Sequence, residues 1–262
     1  PQPLNAVMQG GTVGEVVASK NAAFQAGDKV VAPGGWQQYF LAEAAQLPMM
    51  RKVDASQVPL SAYLGAVGMP GVTAWVGLVT IIEPKVGAVV GHLAKARGCR
   101  AVGLAGGPDK CKAVVDEFGF DACIDYKQHP DLKSLSAALK DACPKGIDGY
   151  FENVGGEVFT AVFPLLNNFA RIPVCGLIAQ YNSAPYPMQN IGSVLINRIK
   201  MQGFIVSDFA DMRDQFYAEM GGWVRDGKIK WEETVENGVE NAPKAFLNLF
   251  SVGNTGKMLV RL

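Results

Sequence analysis

The chain has 262 residues, of which 49% are apolar and 18% are charged, and this balance excludes an intrinsically disordered protein. Its 24 Lys and Arg residues equal its 24 Asp and Glu residues in number, so we expect no nucleic-acid partner. Glycine is abundant, with 30 residues, and much of it separates short apolar segments, which is typical of strands and helices that alternate through tight turns.

The first part of the chain contains short strand-like segments separated by glycine-containing turns. These segments are residues 12–18, 29–32 and 38–41. Their length and spacing predict a small antiparallel β unit.

A long uncharged segment follows, at residues 55–82, and its part from residue 60 onward is long enough to span a bilayer. Pro70 and four glycines interrupt this part. The interruptions favour two short buried helices over a membrane span, so we expect no membrane association.

From residue 86 onward, helical apolar stripes alternate with short β-rich segments. Helices are predicted near residues 86–98, 113–118, 132–139, 158–166 and 191–201, and strands at 100–105, 122–125, 148–153, 171–176 and 203–206. Strands separated by helices of this size predict βαβ units in a doubly wound parallel sheet, with ligands at the carboxyl ends of the strands.

One strand is missing from this pattern. A doubly wound domain begins with a buried strand that leads directly into a glycine turn, and that turn delivers the cofactor's pyrophosphate to a helix N-terminus. Here the residues before the first helix are Glu83-Pro84-Lys85, which do not resemble a strand. Either the strand is absent or residues are omitted at this point, and we favour omission.

The end of the chain predicts two helices and a strand, at residues 212–223, 242–249 and 257–262. Because both ends differ in character from the α/β centre, we expect one small domain built from residues 1–74 and 229–262. The central domain is then residues 75–228.

The sequence gives little support to a metal site or to acid–base catalysis. The five cysteines lie at least twelve residues apart and the only histidines are His92 and His129, so neither a zinc site nor a disulfide framework is predicted. Such cysteines indicate a reducing compartment, and we expect the cytoplasm. The Asp208/Asp211 pair and the Glu232-Glu233 pair are expected to be solvated.

A cation follows the strand predicted at 100–105. This strand ends in Gly106-Gly107 rather than in the acidic residue that binds the adenosine ribose of NAD, and Lys110 comes shortly after. A cation there suits the additional phosphate of NADP, and a solvated lysine at a helix start is the alternative.

Five motifs occur in an order that resembles the zinc-lacking branch of the medium-chain dehydrogenase/reductase superfamily. Within it, the chain is most similar to the NADPH-dependent alkenal/one double-bond reductases, which include prostaglandin and curcumin reductases. The similarity runs from about residue 10 to residue 262. The motifs are residues 68–74 (GMPGVTA), 153–156 (NVGG), 175–182 (CGLIAQYN), 201–206 (MQGFIV) and 254–257 (NTGK).

The resemblance implies a Rossmann-type domain, a GroES-like domain that is incomplete at its N-terminus, and a homodimer formed through an edge of the cofactor domain. It also implies that NADPH reduces the C=C bond of an α,β-unsaturated aldehyde or ketone without a metal. A quinone reductase of the same superfamily and a non-catalytic NADPH-binding protein are the alternatives.

The resemblance further implies site residues. Lys110 and Tyr126 would hold the ribose phosphate, and Tyr181, whose hydroxyl is protonated at neutral pH, is our candidate donor to the substrate's carbonyl oxygen. The implied cofactor-binding residues are Val86, Gly87, Ala88, Lys110, Tyr126, Asn153, Cys175, Gly176, Leu177, Ile178, Tyr181, Phe204, Ile205, Val206 and Asn254.

Overall fold

The computed structural model describes residues 2–82, 91–181, 184–249 and 256–262. Contacts divide the chain into two compact units, one formed by Pro1–Gly71 with Trp231–Leu262 and the other by Val72–Lys230. These units change after residues 71 and 230, whereas the sequence predicts domain limits after residues 74 and 228. The predicted limits stay predictions.

The first unit begins with a three-stranded antiparallel sheet in the order β1-β2-β3. Its strands are β1 (Thr12–Glu15), β2 (Lys29–Ala32) and β3 (Arg51–Lys52). The strand predicted at residues 38–41 is wrong, because Tyr39 and Leu41 are 76% and 86% exposed and this segment is irregular. Short 3-10 helices follow at Leu47–Met49 and Leu60–Leu64.

The uncharged segment forms helix α1 (Met69–Val76), which continues directly into a π-helix (Gly77–Ile82). Trp75, Leu78 and Ile81 are fully buried, which confirms a core segment. The break between two helical pieces lies before Met69 and not at Pro70, since a proline is tolerated in the first turn of a helix. Among the described residues, no helix is long and apolar enough to cross a membrane.

The second unit is an α/β structure whose strands all pair in parallel, which confirms the predicted Rossmann-type fold. In chain order its elements are α2 (Gly91–Ala96), β4 (Val102–Ala105), α3 (Pro108–Asp116), β5 (Ala122–Asp125), α4 (Leu132–Ala142), β6 (Ile147–Gly149), α5 (Gly156–Val162), β7 (Leu166–Val174), α6 (Gly192–Ile196), β8 (Lys200–Gly203) and α7 (Arg213–Arg225). Short 3-10 helices lie at Tyr126–Gln128, Phe163–Leu165, Ile178–Gln180 and Val206–Met212.

The strands of this unit form two groups, β4-β5 and β6-β7-β8. In a doubly wound sheet of order 3-2-1-4-5-6, the first strand lies between the second and the fourth. Here β4 and β6 take the second and fourth places, and no strand among the described residues joins them. This arrangement supports the interpretation that the first strand is missing from the described part of the chain.

Four predicted strands end at least two residues earlier than expected, and β6 and β8, next to the predicted site, are two of these. The strand predicted at 203–206 is observed at Lys200–Gly203, so it shares only Gly203 with the prediction and begins where the preceding helix was predicted to end, and a 3-10 helix begins at Val206. The strand predicted at 148–153 ends at Gly149, after which Glu152 forms a single bridge to Val174. In both places the chain turns at the carboxyl end of the sheet.

The core of this unit lies where helices α4 and α5 pack on the sheet. Leu135 and Leu139, one turn apart on α4, are buried against Val162 and Phe163 and against Ile172 of β7. Helix α4 starts where the Asp131 carboxylate accepts a hydrogen bond from the Ser134 N–H, at 2.7 Å. This packing fixes the strands whose ends carry the predicted site.

The chain returns to the first unit with strands β9 (Glu233–Asn237) and β10 (Lys257–Arg261), which pair in parallel. A 3-10 helix (Val239–Asn241) and helix α8 (Ala242–Asn248) lie between them. The strand predicted at residues 257–262 is β10, which begins at the predicted residue and ends one residue earlier.

Candidate active site

Three predicted residues follow the ends of three neighbouring strands. Val174 pairs with Gly203 in the β7–β8 register, so Cys175 and Phe204 come next on adjacent strands. Asn153 follows the bridge that joins Glu152 to Val174. The structure therefore brings Asn153, Cys175 and Phe204 to the same carboxyl edge of the sheet.

The loops after β6 and β7 are joined by hydrogen bonds. The N–H of Cys175 donates to the carbonyl of Glu152 at 3.0 Å, and the N–H of Ile178 donates to the carbonyl of Asn153 at 3.1 Å. The Cys175 thiol lies 3.4 Å from Oδ1 of Asn153. Burial raises the pKa of this thiol to about 11, so at neutral pH it acts as a hydrogen-bond donor and not as a nucleophile.

Beneath this edge lies Glu152, a fully buried carboxylate that the sequence reasoning missed. Its Oε1 accepts hydrogen bonds from the N–H groups of Val154 and Gly155. Burial raises the pKa of Glu152, and burial together with this carboxylate raises the pKa of Tyr150. The sequence feature that could have identified Glu152 is its position, directly before the Asn-Val-Gly-Gly motif.

An open cleft of about 540 Å³ lies at the ends of β7 and β8. Tyr181, which is 68% exposed, lies on this cleft, whereas Ile178 and Val206 are not part of its wall. Asp208 also contributes to the wall, although the sequence predicted only a solvated residue there. The residues that line the cleft are Val174, Cys175, Gly176, Leu177, Tyr181, Gly203, Phe204, Ile205 and Asp208.

A second group of predicted residues lies at the ends of β4 and β5, which are in register because Ala105 pairs with Asp125. A Cβ atom added to Gly106 would lie only 2.7 Å from the hydroxyl oxygen of Tyr126, so this side chain covers Gly106. Lys110 is half-buried in the first turns of α3, which begins directly after Gly107.

Comparisons with known proteins agree with this geometry. Residues 86–220 match the profile of the zinc-binding dehydrogenase family, and residues 1–50 match the N-terminal domain of oxidoreductases. The whole chain is 43% identical to NADPH-dependent curcumin reductase of Escherichia coli, covering 80% of that protein. Over 97% of its length it is 38% identical to prostaglandin reductase 1 of Bos taurus, covering 81% of it. The chain is a medium-chain dehydrogenase/reductase of the alkenal reductase group.

The crystal structures of CurA from Vibrio vulnificus show the same fold as this reductase. One matches the whole chain with a TM-score of 0.86 and 43% identity and is covered to 81%. The other, in complex with NADPH, matches the whole chain with a TM-score of 0.83 and 42% identity, again covered to 81%.

The alignment with the curcumin reductase also bears on the missing strand. It runs over 282 positions, 20 more than the 262 residues of this reductase. The relative therefore has residues within the aligned region that this chain lacks, in agreement with the expected omission. The predicted residues Val86, Gly87, Ala88 and Asn254 lie outside the described residues.

The described part of the reductase fits a bound dinucleotide. At both predicted ends of the site a glycine lets a polar side chain lie against the backbone, since a Cβ at Gly106 would collide with the Tyr126 hydroxyl and a Cβ at Gly176 would lie 2.5 Å from Oδ1 of Asn153. The donors nearby are a lysine ammonium, a tyrosine hydroxyl and backbone N–H groups, which suit phosphate and amide oxygens. Among the described residues, no group of three His, Cys, Asp or Glu side chains could hold a metal.

Proposed function

We propose that this reductase uses NADPH to reduce the C=C bond of α,β-unsaturated aldehydes and ketones. The observation that carries the proposal is the meeting of Asn153, Cys175 and Phe204 at one sheet edge, beside a cleft that Tyr181 also lines. Its support from relatives is specific, since they are named NADPH-dependent curcumin reductase, prostaglandin reductase and 2-alkenal reductase.

The chain's own residues act mainly by binding and by stabilising charge. NADPH, when bound, supplies a hydride to the substrate's β-carbon. The electron pair of the C=C bond then moves toward the carbonyl oxygen, and the enolate takes a proton from solvent at the α-carbon. The Tyr181 hydroxyl donates a hydrogen bond to that oxygen as its charge develops.

The roles of the other residues follow from their strand ends. Lys110 and Tyr126 bind the ribose phosphate beyond β4 and β5. Residues Cys175, Gly176, Leu177 and Ile178, with Asn153, line the nicotinamide side. Phe204, Ile205 and Val206 pack along the nicotinamide. Val86, Gly87, Ala88 and Asn254 lie outside the described residues, and their contacts with the cofactor stay predictions from the resemblance.

We further propose a cytoplasmic homodimer that acts on small molecules and has neither a nucleic-acid partner nor a membrane partner. The outer strand of the β6-β7-β8 group is β8, and Leu195 and Ile196 just before it are 81% and 68% exposed. A second copy that pairs with this edge would cover these side chains. All five cysteines are free thiols, which supports a reducing compartment.

The decisive experiment follows the absorbance of NADPH and of NADH at equal concentration with a simple enone, and identifies the product by mass spectrometry and NMR. We expect rapid loss of NADPH and a saturated carbonyl product. Reduction of quinones but not of enones would favour the quinone reductase. Binding without oxidation of either cofactor, by a folded protein, would favour a non-catalytic NADPH-binding protein.

The role of Tyr181 is tested by Tyr181→Phe. Loss of a single oxyanion donor costs about 10²–10³ in kcat in enzymes that depend on it, but the cofactor's ribose hydroxyl shares this task, so we expect a loss of about tenfold or more. Tyr39→Phe, at an exposed position of the other unit, is the control and keeps full activity. Full turnover of several enones by Tyr181→Phe would remove the residue from the mechanism.

A further inference from the structure

The loops after β4 and β5 are held together by one carboxylate, Asp125. Its Oδ1 accepts hydrogen bonds from the N–H of Gly107 at 2.8 Å and from the N–H of Lys127 at 3.1 Å. Its Oδ2 accepts a third from Nε2 of Gln128, at 3.1 Å. These bonds, that of Gly107 above all, hold the pKa of Asp125 below its usual range, so the group is ionised at neutral pH.

Lys127 lies beside Tyr126 over the backbone that this carboxylate fixes. A Cβ atom at Gly106 would lie 3.0 Å from Cε of Lys127 and 2.7 Å from the hydroxyl oxygen of Tyr126. Gly106 is buried while both side chains are exposed. The end of the Lys127 side chain and the Tyr126 hydroxyl therefore lie side by side over Gly106, at the point where β4 ends.

The positions of the charges matter for the choice of cofactor. In enzymes that use NAD, an acidic residue near this point accepts a hydrogen bond from the ribose 2′-hydroxyl. The Asp125 carboxylate already accepts three hydrogen bonds from its own loops, so it is poorly placed for that task. What the loops offer to a ligand is a cation and a hydroxyl, which suit a phosphate.

We propose that Lys127 is a specificity-determining residue that binds the 2′-phosphate of NADPH, and that Asp125 is the positioning residue that sets Lys127 and Gly107 side by side. This inference rests on the proposed function. Lys110 approaches the phosphate from α3 and Lys127 from the loop after β5, so the phosphate has two cationic partners on different elements. NADH has no charge at this position and gains nothing from Lys127.

The test compares two fragments that differ only in the 2′-phosphate, 2′,5′-ADP and 5′-AMP, by isothermal titration calorimetry with the full chain. We expect the wild type to bind 2′,5′-ADP more tightly, and Lys127→Ala to reduce this preference about tenfold without changing the affinity for 5′-AMP. Lys127→Arg keeps most of the preference. Lys133→Ala, which removes an exposed lysine of α4, is the matched control and leaves the preference unchanged.

Variants of Asp125 separate positioning from simple charge. Removal of an acidic group near an anionic ligand would, by Coulomb's law alone, tighten the binding of 2′,5′-ADP. Because we assign Asp125 a positioning role, we expect Asp125→Ala to weaken it, and Asp125→Asn, which keeps an acceptor oxygen, to retain more of the preference. Tighter binding by Asp125→Ala would overturn this role.

The outcomes distinguish this inference from the proposed function. A wild type without preference for 2′,5′-ADP, or a Lys127→Ala variant that behaves like Lys133→Ala, overturns the inference even if enones are reduced with NADPH. A preference that depends on Lys127 supports it even if no enone is reduced, and in that case only the proposed reaction fails.

Discussion

Glu152 links the buried part of the second unit to the residues that face the cofactor site. Its carboxylate satisfies two N–H groups of the turn that carries Asn153, yet it has no exposed surface. The two hydrogen bonds lower its pKa, but the cost of burying a charge outweighs them, and the pKa of the folded protein is raised. Glu152 therefore holds the turn in place, but burying its ionised carboxylate lowers the free energy of unfolding by an amount that depends on pH.

This cost gives a prediction for Glu152→Gln. Between the unfolded-state pKa of about 4.3 and the higher pKa of the folded state, the folded protein binds more protons than the unfolded one, so the free energy of unfolding falls as pH rises. Glutamine keeps the acceptor oxygen and does not titrate. We expect wild type to lose stability relative to Glu152→Gln from acidic to neutral pH, measured by urea denaturation across that range.

The control for this experiment is Glu43→Gln, which removes an exposed carboxylate of the first unit. Its stability relative to wild type should show no comparable change with pH. A constant difference between wild type and Glu152→Gln over the whole range would contradict the assigned titration of Glu152.

At this scale the sequence predicted some site residues and missed others for a clear reason. Asn153, Cys175 and Phe204 were predicted from the resemblance of their motifs to the family, and their contacts with the cofactor stay predictions. The contacts of Glu152, and those of Asp125 with Gly107, were not predicted, since they depend on strand register and loop conformation. A single sequence does not contain that information.

At the scale of elements, the π-helix that extends α1 supports the aromatic side chains below the cleft. A Cβ atom at Gly77 would lie 2.7 Å from Cε2 of Phe151 and 3.2 Å from Cζ of Phe204. Phe204 packs edge-to-face on Phe151 and on Phe209, with ring centroids 6.4 Å and 6.1 Å apart. Because Phe204 also lines the cleft, the close approach at Gly77 connects the core to the cofactor site.

We therefore expect Gly77→Ala to impair both stability and cofactor binding. Overpacking costs about 1–3 kcal/mol, and the gain in helix propensity recovers about 1 kcal/mol of it, so the net loss in the free energy of unfolding reaches up to about 2 kcal/mol. Displacement of Phe204 should also raise the dissociation constant for NADPH. Thermal unfolding and fluorescence titration measure the two effects.

Gly192→Ala is the matched control, because a Cβ atom at that helical position has no neighbour within 4 Å. It should leave stability unchanged or raise it by up to about 1 kcal/mol. If Gly77→Ala were as stable as Gly192→Ala and bound NADPH normally, the packing argument would fail.

The sequence predicts the bounds of some strands and helices but not of others. Strands β4, β5 and β10 were predicted nearly to the residue because their apolar segments end at glycines or charged turns. The early end of β8 was missed, since Phe204 is as apolar as a strand residue, and only the pairing with β7 shows that the ladder stops at Gly203. The π-helix has no sequence signature at all, because its apolar side chains would suit any buried helix.

At the scale of the whole molecule, the central question is how the second unit binds a dinucleotide with its first strand missing from the described sheet. In a complete doubly wound sheet, that strand leads into the turn that binds the pyrophosphate. The described residues include the regions on either side of it, the proposed adenosine end after β4 and β5 and the proposed nicotinamide end after β6, β7 and β8. The question is whether contacts at these two ends alone bind the dinucleotide.

Thermal unfolding with and without cofactor answers this question for the molecule as a whole. A ligand that binds only the folded state at a concentration of 100 times its Kd adds about 2.7 kcal/mol, which for a chain of this size raises Tm by about 5–10 °C. We expect such a shift with NADPH and a clearly smaller one with NADH at equal concentration, because only NADPH carries the 2′-phosphate for Lys110, Tyr126 and Lys127. Nicotinamide mononucleotide, which lacks the adenosine end, is the control and should shift Tm least. Equal shifts with NADPH and NADH would contradict the assigned phosphate site, and no shift with either would show that the two described regions do not suffice to bind the cofactor.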